Sequence, residues 1–215
     1  MAVIAPIHGR RRYVRLASPK HPLRKVTGEP LVRLEDGYAF AAVPKDLSAI
    51  STHYPDACVF DFVEWRLLRY YRRGDVLGLD TSDTFEAEAF VFARFGSRFT
   101  PVVEPTAEDW ESALTRWHEA NHVRMGLLAG DKVARALKLY ADTARAASKP
   151  DGVEIGVKLV EIAAFTDLSR EMVGREITAL QEAGWLRREG QSARLTLAWS
   201  FLYSAVPPNA KSSAG

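Results

Sequence analysis

Three charged side chains at positions 170, 171 and 175 could read base edges. On a helix, Arg170, Glu171 and Arg175 emerge from one face within its first two turns, and Gly174 and Thr178 fall on the same side. Arginine contacts guanine through two parallel hydrogen bonds, and glutamate accepts one from the cytosine amino group. The competing reading is a solvated helix face, the usual fate of such charges. The order of the surrounding signals weighs against it: a cap, a turn, a helix and a hairpin follow one another.

Two other constellations invite chemistry. His118-Glu-Ala-Asn-His122 fits the H-E-x-x-H pattern, in which two histidines one turn apart share a metal. No third ligand follows at a useful spacing, and the surrounding helix suits a dimer seam better than an active site. We expect no proteolysis and no metal site there. His53 and Cys58 could ligate a metal or haem, but such a pair is more often a loop histidine and a buried thiol. The chain contains no Ser/His/Asp set, phosphate loop or cofactor fingerprint, so we expect no enzyme and assign no cofactor.

The elements that would hold the charged face can be read directly. Ser169 can cap a helix, and Val173, Ile177 and Leu180 follow at i, i+4 and i+7 as its buried stripe. Before it, Val157 to Phe165 is a short amphipathic segment with Val157, Ile162 and Phe165 inward. Thr166-Asp-Leu168 is a tight connection, which makes the pair a helix-turn-helix. Gly184 ends the second helix. Gly190 lies between two strand-like runs, Trp185–Arg188 and Ala193–Leu197, which form a wing.

Ile162-Ala-Ala, Leu168-Ser-Arg-Glu-Met-Val-Gly-Arg175 and Leu180-Gln-Glu-Ala-Gly-Trp-Leu186 resemble the C-terminal domain of the cyclic-AMP receptor protein/Fnr superfamily of bacterial transcription factors. The resemblance covers residues 155–197. Two positions depart from it. Asp167 stands where the turn usually has glycine, a mild change because aspartate tolerates the left-handed conformation. Lys158 stands where the first helix usually has a Ser or Thr cap. The resemblance implies contacts to double-stranded DNA from Ser169, Arg170, Glu171, Gly174, Arg175 and Thr178. It also implies half-sites like TGTGA, a homodimer on a palindromic site, and RNA polymerase as a partner. Arg187 and Arg188, with Arg194, would meet phosphates from the wing.

Composition sets the frame. The chain has 215 residues, 47% of them apolar and 26% charged, with a net charge of +2, so it is no polycation that coats nucleic acid. Residues 149–215 hold eight Lys/Arg against eight Asp/Glu, so binding must come from where charges sit. The single cysteine, Cys58, forbids an internal disulfide and argues against a cluster needing about four thiolates. There is no apolar run of membrane-spanning length and no signal-peptide core, because Arg10-Arg-Arg12 interrupts. A cytoplasmic protein with no membrane partner is expected.

The first hundred residues read as short strands: Tyr13–Leu16, Leu31–Leu34, Tyr38–Val43, Cys58–Val63, Arg66–Tyr71 and Glu88–Phe95. This spacing suggests an antiparallel barrel or sandwich. Leu34-Glu-Asp-Gly37 and Tyr70 to Leu79 are similar to turns of the superfamily's sensor β-roll. Members that bind cyclic AMP carry an Arg-Ser pair shortly afterwards. Here Ala87 and Glu88 occupy those positions, and a carboxylate repels a cyclic phosphate. Only Arg94 or Arg98, in another register, could restore the cation. Otherwise Phe85, Phe90 and Phe92 fill the space, or it takes another ligand.

Residues 106–130 read as one long helix with Thr106 and Asp109 as a capping box. Trp110, Leu114, Trp117, Asn121, Met125 and Leu128 recur every three or four residues as a dimerisation seam. The alternative is packing on the chain's own sheet. Ala129-Gly-Asp131 breaks the run, Gly130 serves as hinge, and Asp131 caps a second helix from Lys132 to about Ala147. The basic segment Arg10 to Lys25 could touch phosphates or be a solvated arm, and Pro207–Gly215 is expected to be mobile.

The whole reads as an α+β chain with an N-terminal antiparallel β-roll resembling a sensor (1–105), a dimerisation helix (106–130) and a C-terminal winged helix-turn-helix (131–215). The expected function is DNA-binding transcription regulation without cyclic AMP. The alternative is a small-molecule-binding β-barrel protein or enzyme whose winged helix mediates protein contacts.

Overall fold

Along Leu31–Asp36 alternate side chains, Val32 and Leu34, are buried, the period of a strand with one covered face. The computed structural model describes residues 6–7, 10–11, 13–18, 21–24, 31–45, 57–58, 65–77, 79, 90–94, 97–143, 146–189 and 194–204. The tail Pro207–Gly215 lies outside them. The chain divides into two compact units, residues 1–120 and 121–215. No helix among the described residues is long and apolar enough to cross a membrane.

The strands of the first unit are β1 (Pro6–Ile7), β2 (Arg10–Arg11), β3 (Tyr13–Ser18), β4 (His21–Arg24), β5 (Leu31–Asp36), β6 (Ala39–Pro44), β7 (Ala57–Cys58), β8 (Trp65–Tyr71), β9 (Val76–Leu77), β10 (Phe90–Arg94) and β11 (Arg98–Val102). They form the hairpin β1-β2, a sheet in the order β7-β4-β3-β10-β6-β8, and a sheet in the order β11-β5-β9. Neighbours run antiparallel with one correction to the expected pattern: β10 lies parallel to β3. The chain leaves β3 at Ser18 and returns at Phe90, long enough for the crossover a parallel pair needs.

Most expected strand runs appear within a residue or two. Cys58–Val63 is covered only at Cys58, since residues 59–64 lie outside the described residues. The basic segment expected as an arm instead carries β2, β3 and β4, with β3 inside the larger sheet. β11 escaped the sequence reading because it lacks apolar alternation and contains Pro101. Proline is tolerated there because β11 is an edge strand.

Val32, Leu34, Ala39, Ala41, Leu68, Tyr71 and Leu77 form the main core of this unit. The expected turn at Gly37 is present with φ +98°, and a Cβ there would collide with Ser97. A second cluster, Val76, Leu79, Val102 and Ala113, seats helix α1 (Ala107–Arg124) on this unit.

The capping box that starts α1 is as expected. Thr106 N donates to Asp109 Oδ2 at 2.8 Å, and Asp109 N donates to Thr106 Oγ1 at 3.3 Å. Arg33 then donates to both Asp109 oxygens, at 2.7 and 3.1 Å. Further along, Arg116 bridges Asp75 (3.0 Å) and Glu119 (2.7 Å), and Arg72 reaches Glu119 at 3.2 Å. Burial raises the Asp75 carboxyl above its ordinary range, against the hydrogen bond from Arg72 N and the pull of Arg116.

Hydrogen bonds from Arg33 hold the Asp109 carboxyl below the usual carboxylate range, helped by Thr106 and opposed by burial. A depressed carboxylate pKa stabilises the fold above the unfolded value near 4 and loses that contribution as pH falls through the folded value. Asp109→Ala should therefore cost about 2 kcal/mol near neutral pH. In urea titrations the gap from the parent protein should close in acid below about pH 4. A gap that stays constant down to about pH 2 would show that the carboxylate charge is not what anchors the helix.

The described part of the second unit begins with the last turn of α1. Then come α2 (Ala129–Ala141), β12 (Ala146–Lys149), β13 (Gly152–Gly156), α3 (Leu159–Thr166), α4 (Arg170–Glu182), β14 (Leu186–Arg188), β15 (Arg194–Ala198) and α5 (Trp199–Tyr203). The strands form an antiparallel sheet in the order β12-β13-β15-β14.

Three helix boundaries need correction. α1 stops at Arg124 and does not run to residue 130, so Met125 and Leu128 lie beyond its end. Gly126 causes this. Its N–H bonds back to Val123 O at 3.4 Å, and a Cβ there would meet Lys132 Cγ at 2.9 Å. α2 starts at Ala129 after Leu128 as N-cap, so Gly130 sits inside the helix and Asp131 is a first-turn acid, not the cap. α2 also ends at Ala141, because residues 146–149 pair with β13 instead. The Lys149–Gly152 turn between those strands is as expected. The stripe Val133, Ala136, Leu137 and Tyr140 is buried.

Candidate nucleic-acid interface

The charged face rests on a short stack of helices. Ile162, Ala163, Ala164 and Phe165 of α3 are buried, and Thr166 Oγ1 donates to Ile162 O at 2.8 Å. Lys158 opens α3 without a side-chain cap. Asp167 follows in the left-handed conformation, φ 58° and ψ 35°, so aspartate fills the place that glycine would take. Leu168 N then bonds back to Ala163 O at 3.3 Å, which closes the turn.

Ser169 caps α4 as its type predicts: Oγ accepts from Met172 N at 3.2 Å. Val173, Ile177 and Leu180 are buried. That fixes the rotation of α4 and leaves Arg170, Glu171, Arg175 and Thr178 exposed. Its own backbone N–H and the Ser169 hydroxyl lower the Glu171 carboxyl pKa, with smaller help from Arg170 and Arg175, so Glu171 is a committed acceptor. Thr178 Oγ1 donates to Gly174 O at 3.1 Å, which leaves the hydroxyl to accept.

Gly174 lies mid-helix, where glycine costs about 1 kcal/mol against alanine. A Cβ there would meet nothing within 4 Å. Packing among the described residues therefore does not require the glycine.

Gly184, with φ +73°, ends α4, and Trp185 N bonds back to Leu180 O at 2.9 Å. The hairpin β14–β15 follows, and its tip, with Gly190, lies outside the described residues. Its cations are not all unengaged. Arg187 pairs with Asp151 at 3.0 Å, and Arg194 stands 3.9 Å from Glu154. Arg188 is half-buried.

On α1, Asp109, Ala113, Ala120 and Val123 form the covered stripe. One residue further round, Trp110, Leu114, Trp117 and Asn121 form a second stripe, while Met125 and Leu128 lie beyond the helix end. Leu114 is 43% exposed, Leu128 55% and Met125 77%. Trp117 and Asn121 are half-buried. Leu127, 96% exposed, was not anticipated.

The remaining candidates separate. Glu119 of the H-E-x-x-H run is engaged by Arg72 and Arg116. No group of three or more His, Cys, Asp or Glu among the described residues could hold a metal. His53, Phe85, Ala87 and Glu88 lie outside the described residues, while Phe90, Phe92 and Arg94 lie on β10. Arg98 is three-quarters exposed and pairs with Asp36 at 3.1 Å. Sequence reasoning missed Arg69, which is buried on β8 with Nε donating to Tyr71 Oη at 3.2 Å. An arginine between Leu68 and Tyr70, in a strand run polar elsewhere only at Arg66, was the available signal.

No protein-family model and no curated protein matches this chain. Solved structures do. A transcriptional regulator of the CRP family from Thermus thermophilus is 22% identical, with a TM-score of 0.55 over 86% of this chain and 91% of that one. The c-di-GMP-responsive global regulator CLP of Xanthomonas campestris is 21% identical, with a TM-score of 0.53 over 78% and 84%. A second Thermus thermophilus regulator, of the CRP/FNR family, is 17% identical, with a TM-score of 0.51 over 79% and 82%.

Proposed function

We propose that this chain, which has the fold of the CRP/FNR transcription regulators, binds palindromic DNA as a homodimer through a winged helix-turn-helix. The observation that carries the reading is the face of α4: Arg170, Glu171 and Arg175 exposed beside Gly174, whose missing side chain nothing among the described residues requires. A helix interior that gives up about 1 kcal/mol for empty space suits the close approach of another molecule. Arg170 and Arg175 would read guanines, Glu171 a cytosine, and Ser169, Thr178 and the hairpin cations Arg187 and Arg188 would contact the backbone.

Exposed Leu114, Met125 and Leu128, with half-buried Trp117 and Asn121, support pairing with a second copy, because exposed large apolar side chains mark interaction surfaces. The partners are DNA, a second copy and, for a regulator, RNA polymerase in the cytoplasm. Gel retardation against excess unrelated duplex tests the reading. Selective retention of a palindrome supports it, and equal competition by any sequence defeats it.

Ala87 and Glu88 leave the β-roll without the usual phosphate-binding pair, so binding proceeds without cyclic AMP and control lies in the amount of protein. Cyclic AMP added to the DNA-binding assay should change the affinity by less than about tenfold, the roughly 1.4 kcal/mol that would signal coupled sites. A larger gain would place a cation, Arg94 or Arg98, on the phosphate.

A further inference from the structure

The root of the hairpin β14–β15 is gripped from two sides. Its strands enter and leave at Trp185 and Ala198, where Ala198 N donates to Trp185 O at 3.0 Å. The Trp185 ring lies 6.2 Å from that of Phe201, the fully buried residue of α5. α5 follows β15 directly, so a contact that holds α5 also holds the outgoing strand. Trp199 Nε1 donates to Pro150 O at 3.3 Å, which ties α5 to the β12–β13 turn. On the other side stands Lys138 of α2.

Lys138 Nζ donates to Ser204 O at 2.5 Å and to Ser204 Oγ at 3.2 Å, and lies 5.3 Å from the centroid of the Phe201 ring. Ser204 is the C-cap of α5, and its hydroxyl donates in turn to Phe201 O at 2.8 Å. The last carbonyls of a helix have no partner inside it and carry partial negative charge, so a cation there is favourable. The ring face adds a second negative surface. Among the described residues no carboxylate pairs with Lys138, and burial lowers its pKa. The ammonium is therefore committed to α5, from a helix that also packs on α3 and α4.

We propose that Lys138 is a positioning residue for the hairpin: it clasps α5 to α2, and so fixes where Arg187 and Arg188 stand relative to the α4 face. This rests on the reading of the hairpin as a DNA-contacting wing. Full-length protein with Lys138→Met, Lys138→Arg or Ser204→Ala, and with Lys138→Met added to Arg187→Ala/Arg188→Ala, tests it. Methionine keeps the apolar stem and removes the donors. Three quantities are read: affinity for a palindrome of TGTGA half-sites and for an unrelated duplex, the slope of log affinity against log salt, and amide hydrogen exchange at residues 185–188 and 194–204. Lys138→Met should weaken binding to both duplexes alike, about three- to tenfold, because phosphate contacts carry no sequence. The salt slope should fall by about one phosphate per hairpin, and exchange across α5 and the hairpin root should quicken. Lys138→Arg, which keeps a cation at the end of α5, should restore most of the affinity. With Arg187 and Arg188 already replaced, Lys138→Met should cost little more.

Quickened exchange with an unchanged salt slope leaves only a structural contact and overturns the positioning role. A changed ratio between the two duplexes places the effect on α4 and overturns it too, as does a loss that multiplies in full with that of the arginine substitutions. Unchanged exchange in α5 overturns the clasp itself. If the parent protein retains neither duplex, the DNA reading fails and the positioning role with it, while exchange still shows whether Lys138 holds α5. If Lys138→Met does not fold, Ser204→Ala decides: it should shift exchange and slope in the same direction by less, and no shift in either overturns the proposal.

Discussion

Replacing Arg170 or Arg175 by alanine is expected to cost about 1–3 kcal/mol per half-site and to relax selectivity at the guanine each one reads. A dimer carries two copies of the change, so the loss on a palindrome is about twice that figure. Folding should be unaffected, since both side chains are exposed and the buried stripe Val173, Ile177 and Leu180 is intact. Affinity for unrelated duplex should fall far less, because backbone attraction is spread over other cations. Anisotropy titrations at fixed salt, with the palindrome and with single-base changes in it, separate these effects. A variant that loses affinity uniformly has lost a phosphate contact. One that retains full discrimination shows that α4 does not dock through this face.

The second large effect concerns assembly. Leu128→Glu should convert a dimer into a monomer at micromolar concentration. In a symmetric pairing the new carboxylates face each other, and like charges across an interface cost several kcal/mol. Leu128 is 55% exposed in the single chain, so the change spares the protomer's own core. Binding to a palindrome should fall steeply, while a single half-site should be bound as weakly as by the parent. Sedimentation equilibrium provides the direct reading. An unchanged dimer would place the interface elsewhere, and Leu114, Trp117 and Asn121 would then need another explanation.

The two ends of the chain differ in how much their sequence disclosed. In the second unit the signals are local. Ser169 caps the helix it precedes, Asp167 takes the turn's left-handed conformation, and Val173, Ile177 and Leu180 fall on one buried stripe. Each acts over a few residues, which is the range a sequence displays. The sheet of the first unit depends on partners far apart in the chain, and β10 beside β3 could not be read from either segment. Edge strand β11 has no buried alternation to betray it.

Helix ends fell between these cases. α1 ends at Arg124, and a Cβ at Gly126 or Gly130 would meet Lys132 Cγ at 2.9 Å or Glu176 Oε2 at 3.0 Å. A glycine read alone suggests a hinge, but only its neighbours in space reveal a close approach. Arg69 is a similar lesson, since its burial follows from a sheet covered on both faces at that strand.

The most direct measurement is selection of bound fragments from a pool of random duplex DNA by the purified protein, without added nucleotide and at near-physiological salt. A homodimer reading through α4 should enrich two-fold symmetric sequences with a guanine in each half-site. The half-site centres should lie one helical turn apart, about 34 Å. Recovery of no common sequence, or of sites without that symmetry, would contradict the reading.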